Sequence, residues 1–470
     1  MQSSASSNSL NSAENPVNGI TETEKDSYRQ PFLKPWLIVT LTWLCRLCVG
    51  VTFMFSGWAK AIDVWGFIYK IEEYLNVWRL YQPRELVLVA ALTLSVGEFA
   101  VGTAVITGCL RRVSVWCAAL MMCFLLPLTI YIYIADPVAD CGCFGEIFII
   151  SNGATLLKNI ILSAMIAFLL FTNTSVQALY RRTLQWIPLT LSVAYALILG
   201  LMGYHIQPLV DVRPYPVGTD LGALLAQHDT AADAQVNDML FVYEKDGKTI
   251  TVDVDNIPDE EDGWTFVRRQ EAPQKQAAPQ ELATLAIFDD QDEDVTAEVI
   301  SRKGAQILLV VTEPGVGYLT RARLADELAA YAVAHGAEMT ALVATDNSGL
   351  QQWRELALPS FDSYMVDDTD TKELVRGNTA VVMLQDGVIK WKRNIASLDA
   401  NMMSDASHAV DPFGLEPIDD GRLHTRLTLA YVIAMVLTGL GGLSRRTYHL
   451  RRLRKRRIAE PSESSEGHAQ

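Results

Sequence analysis

Six stretches of this chain are apolar for long enough to cross a bilayer, and nothing else in the sequence restricts its fold as much. They run roughly over 37–57, 85–108, 113–134, 153–171, 185–205 and 427–443. A segment immersed in hydrocarbon must close its backbone hydrogen bonds internally, so each stretch is expected to be a helix. The last is short and ends in Gly441-Gly442.

Charge divides the chain in two. Residues 206–420 carry 16 Lys+Arg against 39 Asp+Glu, a net of −23, within a whole-chain net of −15. The low isoelectric point therefore belongs to one soluble block, and the membrane part is basic. So acidic a block repels phosphate, which excludes nucleic acid as a partner. Arg111-Arg112, Arg181-Arg182, Arg445-Arg446 and the dense 451–457 run fall on one side if six spans alternate. That side is expected to be the cytoplasm, with both termini inside. The 135–152 loop has no Lys or Arg and is expected outside with the acidic block. Residues 1–33 read as a disordered polar tail, leaving the first span as the targeting signal. Residues 444–470 read as a basic cytoplasmic tail that anchors the last span and lies near lipid headgroups.

The soluble block subdivides. Residues 206–257 form a small β-rich segment, with strands near 240–244 and 249–254 around an Asp246-Gly247 turn. Residues 258–280, acidic and then Pro-rich, read as a linker. Residues 281–395 alternate: strand 306–312, helix 318–335, strand 339–345, then a hairpin of 381–385 and 388–391 around Asp386-Gly387. A βαβ unit followed by a hairpin is the outline of a thioredoxin-like α/β domain. Residues 396–426 fit neither part.

All seven cysteines precede residue 144, so the soluble block has no disulfide of its own and no thiolate metal site. The sharpest motif is Asp140-Cys141-Gly142-Cys143-Phe144-Gly145, in the loop between spans three and four. Two thiols one residue apart can close a small, strained ring, with Gly142 easing the turn, and a strained disulfide exchanges readily. Two buried thiols, or two cysteines each bonded elsewhere, would satisfy the same pattern. Lys158, one turn inside span four, is placed to favour a thiolate above it or else to snorkel. Arg46 and Glu98 lie roughly 15 Å deep in spans one and two at about 1.5 Å per residue, so they are expected to pair with each other. Such a pair suits a proton or quinone role or a clamp between helices. Cys45, Cys48 and Cys123 suit a thiol relay or small-residue helix packing. Trp36, Trp43, Trp58, Trp65 and Trp186 read mostly as interfacial belts.

Arg46, the run Gly50–Lys60 (GVTFMFSGWAK), Glu98 and the loop DCGCFG together resemble the DoxX-like, MauE-type (methylamine utilisation) family of bacterial membrane proteins. Residues 34–172 would be its four-helix unit, followed by a fifth helix at 185–205 and a sixth at 427–443. Asp211-Val212-Arg213-Pro214-Tyr215 and Trp264-Thr265-Phe266-Val267 resemble a subgroup with a periplasmic thioredoxin-like extension. The resemblance implies a multi-pass inner-membrane protein that assists the maturation of exported proteins by thiol–disulfide exchange or electron transfer. Cys141 and Cys143 would be the redox pair. Asp140, Gly142, Phe144, Gly145 and Lys158 would support it, and no metal is implied. The arrangement is also similar to vitamin K epoxide reductase, in which membrane quinone takes the electrons; quinone is thus the one cofactor to expect. The extension departs from a working thioredoxin. Thr312-Glu313-Pro314-Gly315-Val316-Gly317 stands where Cys-x-x-Cys would be, and Gly377-Asn378-Thr379-Ala380 where the cis-proline would be. It is expected to be redox-dead, with residues 206–420 docking exported partner thiols. A non-enzymatic membrane scaffold or assembly factor, and a transporter or oxidase subunit built on Arg46–Glu98, are the rival expectations.

Overall fold

The computed structural model describes residues 35–138, 140–227, 239–245, 248–252, 264–271, 285–315, 321–398 and 420–459. The expected tail over 1–33, the Asp246-Gly247 turn, Val316-Gly317 and residues 399–419 lie outside the described residues.

Among the described residues, six helices are long and apolar enough to cross a membrane. The first five sit in α1 (Pro35–Ile62), α3 (Arg84–Thr107), α4 (Arg111–Ala135), α5 (Asn152–Thr172) and α6 (Trp186–His205). Helices α1 and α3 share the longest seam. A Cβ at Gly57 would come within 2.4 Å of Phe99 N and 2.5 Å of Ser95 O. Only glycine lets the two backbones approach so closely.

Between α1 and α3 lies α2 (Val64–Val77), a helix too short and amphipathic to read as a span. Asp63 caps it, its Oδ1 accepting from the Gly66 N–H at 2.9 Å. Val64, Trp65 and Ile68 form its buried face. Trp65 is therefore not an interfacial residue. It is 4% exposed, stacks on Tyr204 at 4.8 Å and donates its indole N–H to Tyr204 O.

The α/β region is built on a six-stranded mixed sheet. Its strands are β4 (Ile287–Phe288), β5 (Ala305–Val311), β6 (Glu338–Ala344), β7 (Asp362–Val366), β8 (Thr379–Gln385) and β9 (Val388–Asn394), in the order β4-β7-β6-β5-β8-β9. β5, β6 and β7 run parallel; β4, β8 and β9 pair antiparallel. Ile307, Leu309 and Val311 face one core with α8 (Ala322–Ala334), while Leu308 and Val310 face a second with α7 (Thr296–Ile300), Tyr215 and Leu221. Both faces of β5 are covered, which is why it reads as an unbroken apolar run. Asp386 and Gly387 both have positive φ, 52° and 78°, as the tight β8–β9 turn requires. Helices α9 (Asn347–Ala357) and α10 (Asp368–Leu374) flank β7; none of the three stands out by periodicity, because each is short and half polar.

The expected linker is not all linker. Within it, β3 (Thr265–Glu271) pairs with β1 (Met239–Lys245), which also pairs with β2 (Lys248–Val252), giving a three-stranded antiparallel sheet. Its Thr-Phe-Val start is β-prone, and the acidic and Pro-rich stretches on either side hide it.

The chain returns through α11 (Asp420–Ala459), whose apolar window, Gly421–Leu440, opens earlier than residue 427. The helix continues through Gly441-Gly442, glycine being tolerated in such helices. Tyr431 stacks on Tyr195 of α6 at 4.5 Å and its hydroxyl lies 2.9 Å from Ser192 Oγ. Tyr195 OH in turn pairs with Thr428 Oγ1 at 2.8 Å. Aromatic contact and hydroxyl pairing thus join α11 to α6.

Candidate functional site

Loop 136–151 joins α4 to α5 and folds tightly at the motif. Asp140 Oδ1 accepts from the Gly142 N–H at 2.7 Å, and its other oxygen accepts from Lys70 Nζ of α2 at 3.2 Å. Gly142 and Gly145 have φ of +63° and +58°, the left-handed region that favours glycine. Tyr74 of α2 donates its hydroxyl to Cys141 O at 3.0 Å, and Ser56 Oγ of α1 lies 2.6 Å from Cys143 O. Both cysteine carbonyls are thus tied to neighbouring helices, and the two Sγ atoms come 2.6 Å apart.

Cys141 and Cys143 are free thiols, each half-buried. The Cys143 N–H points at Cys141 Sγ at 3.3 Å, which favours negative charge on Cys141. The hydrogen bond from Cys143 and the charge of Lys158 draw Cys141 down to about 6, against the cost of burial. The same contact, with burial, pushes Cys143 well up. Lys158 Nζ sits 4.2 Å from the centre of the Phe144 ring, and that ring meets Phe55 edge-on at 5.4 Å. All seven loop and lysine residues singled out in the sequence therefore converge on one site.

Gly142→Ala tests the turn. The new Cβ would meet Lys70 Cγ at 2.6 Å, which that flexible stem can relieve, but the positive φ remains. The expected cost is about 1–2 kcal/mol, read by thermal unfolding in detergent; a neutral outcome would contradict this loop geometry.

The intramembrane charges do not pair as expected. Arg46 Nε donates to Asn173 Oδ1 at 2.6 Å and its Nη2 to Asn173 O at 2.6 Å. Arg46 thus serves the orphan carbonyls at the C-terminus of α5, far from Glu98. Glu98 meets Lys60, whose Nζ lies 2.7 Å from both carboxylate oxygens. Ser56, Lys60 and Glu98 form a polar cluster directly beneath Cys143, and the cysteine joins them in lining a cavity of about 20 Å³ with Lys158 and Asn159. That volume holds a water and not a quinone ring, so the residues here do not fit an enclosed quinone.

Sequence reading missed Lys70, Tyr74 and Arg376, and carried Ser56 and Lys60 only inside the run Gly50–Lys60 with no role of their own. The available signal was Ser56 and Lys60 four residues apart, on one helix face at the end of an apolar span. Arg376, between α10 and β8, is 2% exposed. Its guanidinium bonds Asp63 at 3.0 Å, Glu146 of the motif loop and the carbonyl of Lys372. Burial works against its charge, but these carboxylates outweigh that and hold it above the ordinary arginine value. Arg84 of α3 binds Glu72, Glu313 and Asn378. Glu313 and Asn378 lie in the two segments expected at the places of a thioredoxin's Cys-x-x-Cys and cis-proline, so that rim rests on the chain's own membrane unit. Beside the clamp opens a cavity of about 1190 Å³, lined by Lys70, Asp140, Gly142, Glu146, Pro214 and Arg376 among others.

Residues 38–172 match the family described as methylamine utilisation protein MauE, and residues 238–275 match a domain of unknown function, DUF8463. No curated protein matches the chain. The match over residues 38–172 and the apolar helices fit a multi-pass membrane protein with a MauE-like unit in its first part.

Proposed function

We propose that this MauE-type protein performs thiol–disulfide exchange at Cys141 and Cys143 during the maturation of exported proteins. The observation that carries the reading is the pair itself: two thiols held 2.6 Å apart at the end of a helical bundle, one of them pulled down to about 6. In this reading the protein sits in a bacterial inner membrane with both termini cytoplasmic, and the motif loop and residues 206–420 face the oxidising side. The six-stranded region acts as a thioredoxin-like module without its own cysteines, presenting an exported polypeptide to the loop through the large cavity beside Lys70 and Arg376.

The chemistry follows from the asymmetry of the pair. Cys141 is the more accessible as thiolate and attacks a substrate disulfide; Cys143, protonated, then resolves the mixed disulfide. The reverse sequence passes a bond outward. The experiment is thiol trapping in intact cells with a mass-shifting reagent. Cys141 and Cys143 are expected to cycle between bridged and reduced forms, and Cys143→Ser to accumulate a mixed disulfide through Cys141. If both thiols stay reduced under every growth condition, and the double serine variant keeps full function, the protein is a scaffold and the exchange reading fails.

A further inference from the structure

A buried hydroxyl on a helix can bond back to the carbonyl four residues earlier. Ser163 and Thr172 of α5 do so, to Asn159 O at 2.8 Å and Phe168 O at 2.9 Å, as do Thr103 of α3 and Ser192 of α6. Thr155 of α5 does not. It is 1% exposed, and its Oγ1 finds no hydrogen-bond partner among the described residues. A buried hydroxyl left unpaired costs stability, so its presence calls for another reason. What it has within reach is the sulfur of Cys141. A neutral thiol is a weak acceptor, whereas a thiolate accepts a charge-assisted hydrogen bond. Thr155 thus holds a donor whose acceptor appears when Cys141 loses its proton.

We propose that the Thr155 hydroxyl is a donor that selects Cys141 over Cys143 as the attacking sulfur of the pair. Lys158, one turn further along α5, cannot make that choice, because its charge acts on both sulfurs. Thr155 and the Cys143 N–H instead converge on Cys141. Thr155 also closes the first turn of α5, where the helix dipole favours negative charge. Among the described residues, the ionisable groups around the Cys141 sulfur are Asp140 and Cys143 from the loop, Tyr74 from α2 and Lys158 from α5. Lys70 of α2 is held by Asp140, and Lys60 of α1 bears on Cys143. The hydrogen bond from Cys143 does most to draw Cys141 down, and the Thr155 hydroxyl adds a smaller share.

The inference deepens the exchange reading and rests on it for its purpose, but its test needs no substrate protein. The full chain in nanodiscs, kept reduced with a phosphine, is labelled with iodoacetamide as a function of pH, and alkylation of Cys141 is followed by mass spectrometry. Thr155→Val keeps the shape of the side chain and removes the donor. Its midpoint is expected to lie above that of the wild type by about half a unit to one unit, the range of a single hydrogen bond. Thr155→Ser restores the hydroxyl and should return the midpoint to the wild-type value. Ser163→Ala removes a back-bonded hydroxyl from the same helix and must leave the midpoint in place. A packing role predicts the opposite order, with Thr155→Val like the wild type and Thr155→Ser, which loses a methyl, less stable. A Thr155→Val midpoint equal to that of the wild type, or one raised equally in Thr155→Ser, overturns the proposal. The exchange reading is decided separately, by the mixed disulfide that Cys143→Ser accumulates. Its absence alongside a raised Thr155→Val midpoint sinks exchange and leaves the donor contact to Cys141 standing.

Discussion

Arg376→Met is expected to destabilise the protein by about 3–5 kcal/mol, the usual cost of removing one partner from a buried ion pair. Arg376 is 2% exposed and Asp63 nearly as buried, so the substitution leaves a carboxylate without a cation in a site that excludes water. It also releases Glu146 and the Lys372 carbonyl. The cost is not a measure of how much the intact pair stabilises, because most of it is the orphaned charge. The double variant Arg376→Met with Asp63→Asn should therefore recover part of the loss. Thermal unfolding in detergent measures both, and hydrogen exchange at residues 63–69 and 374–378 localises the effect. A single variant that melts with the wild type would mean that the clamp does not join the two regions.

The second large effect is in pH. The hydrogen bond from Cys143, with the charge of Lys158, draws Cys141 from the ordinary thiol range down to about 6. A lowered value means that the thiolate is present above about pH 6 and is lost by protonation below it. At pH 7 the thiolate fraction is then on the order of 100 times that of an ordinary cysteine. The alkylation rate gains far less, since nucleophilicity falls with basicity by a Brønsted slope of about 0.4–0.5. The informative readout is the profile: iodoacetamide labelling of Cys141, followed by mass spectrometry, should be half-maximal near pH 6. Cys143→Ala removes the largest cause and Lys158→Met a smaller one, so both should move the midpoint upward, the first further. A wild-type midpoint near 9 would remove the basis for treating Cys141 as the attacking thiol.

Much of this was legible in the residues. Hydropathy alone gave the six crossing helices, because length and apolar content are one-dimensional quantities. The motif loop was legible as chemistry, since two thiols around a glycine have few uses. Length was legible and offset was not. Counting residues put Arg46 and Glu98 at one level, but α1 and α3 are shifted along their axes: Arg46 lies beside Gly108, past the end of α3, whereas Gly57 lies beside Phe99. Arg46 turns toward the end of α5, whereas Glu98 turns toward Lys60, which lies fourteen residues, about 21 Å, further along α1 than Arg46. Trp65 was misplaced for a related reason: an interfacial tryptophan and one buried under a short amphipathic helix have the same local sequence. Arg376 was out of reach, because its partners Asp63 and Glu146 stand 313 and 230 residues away in the chain.

The stacking of Tyr431 on Tyr195 fixes more than one helix. Residues 206–420 leave the bundle from α6 and re-enter it through α11, and these two helices lie against each other. The intervening region is a closed loop with both ends fastened at one place. It is held near the bundle at a high effective concentration that no contact of its own has to provide. Loosening Arg376 should thus give partial, rapidly reversed openings rather than release, and a bound polypeptide would meet a gap that breathes on a double tether.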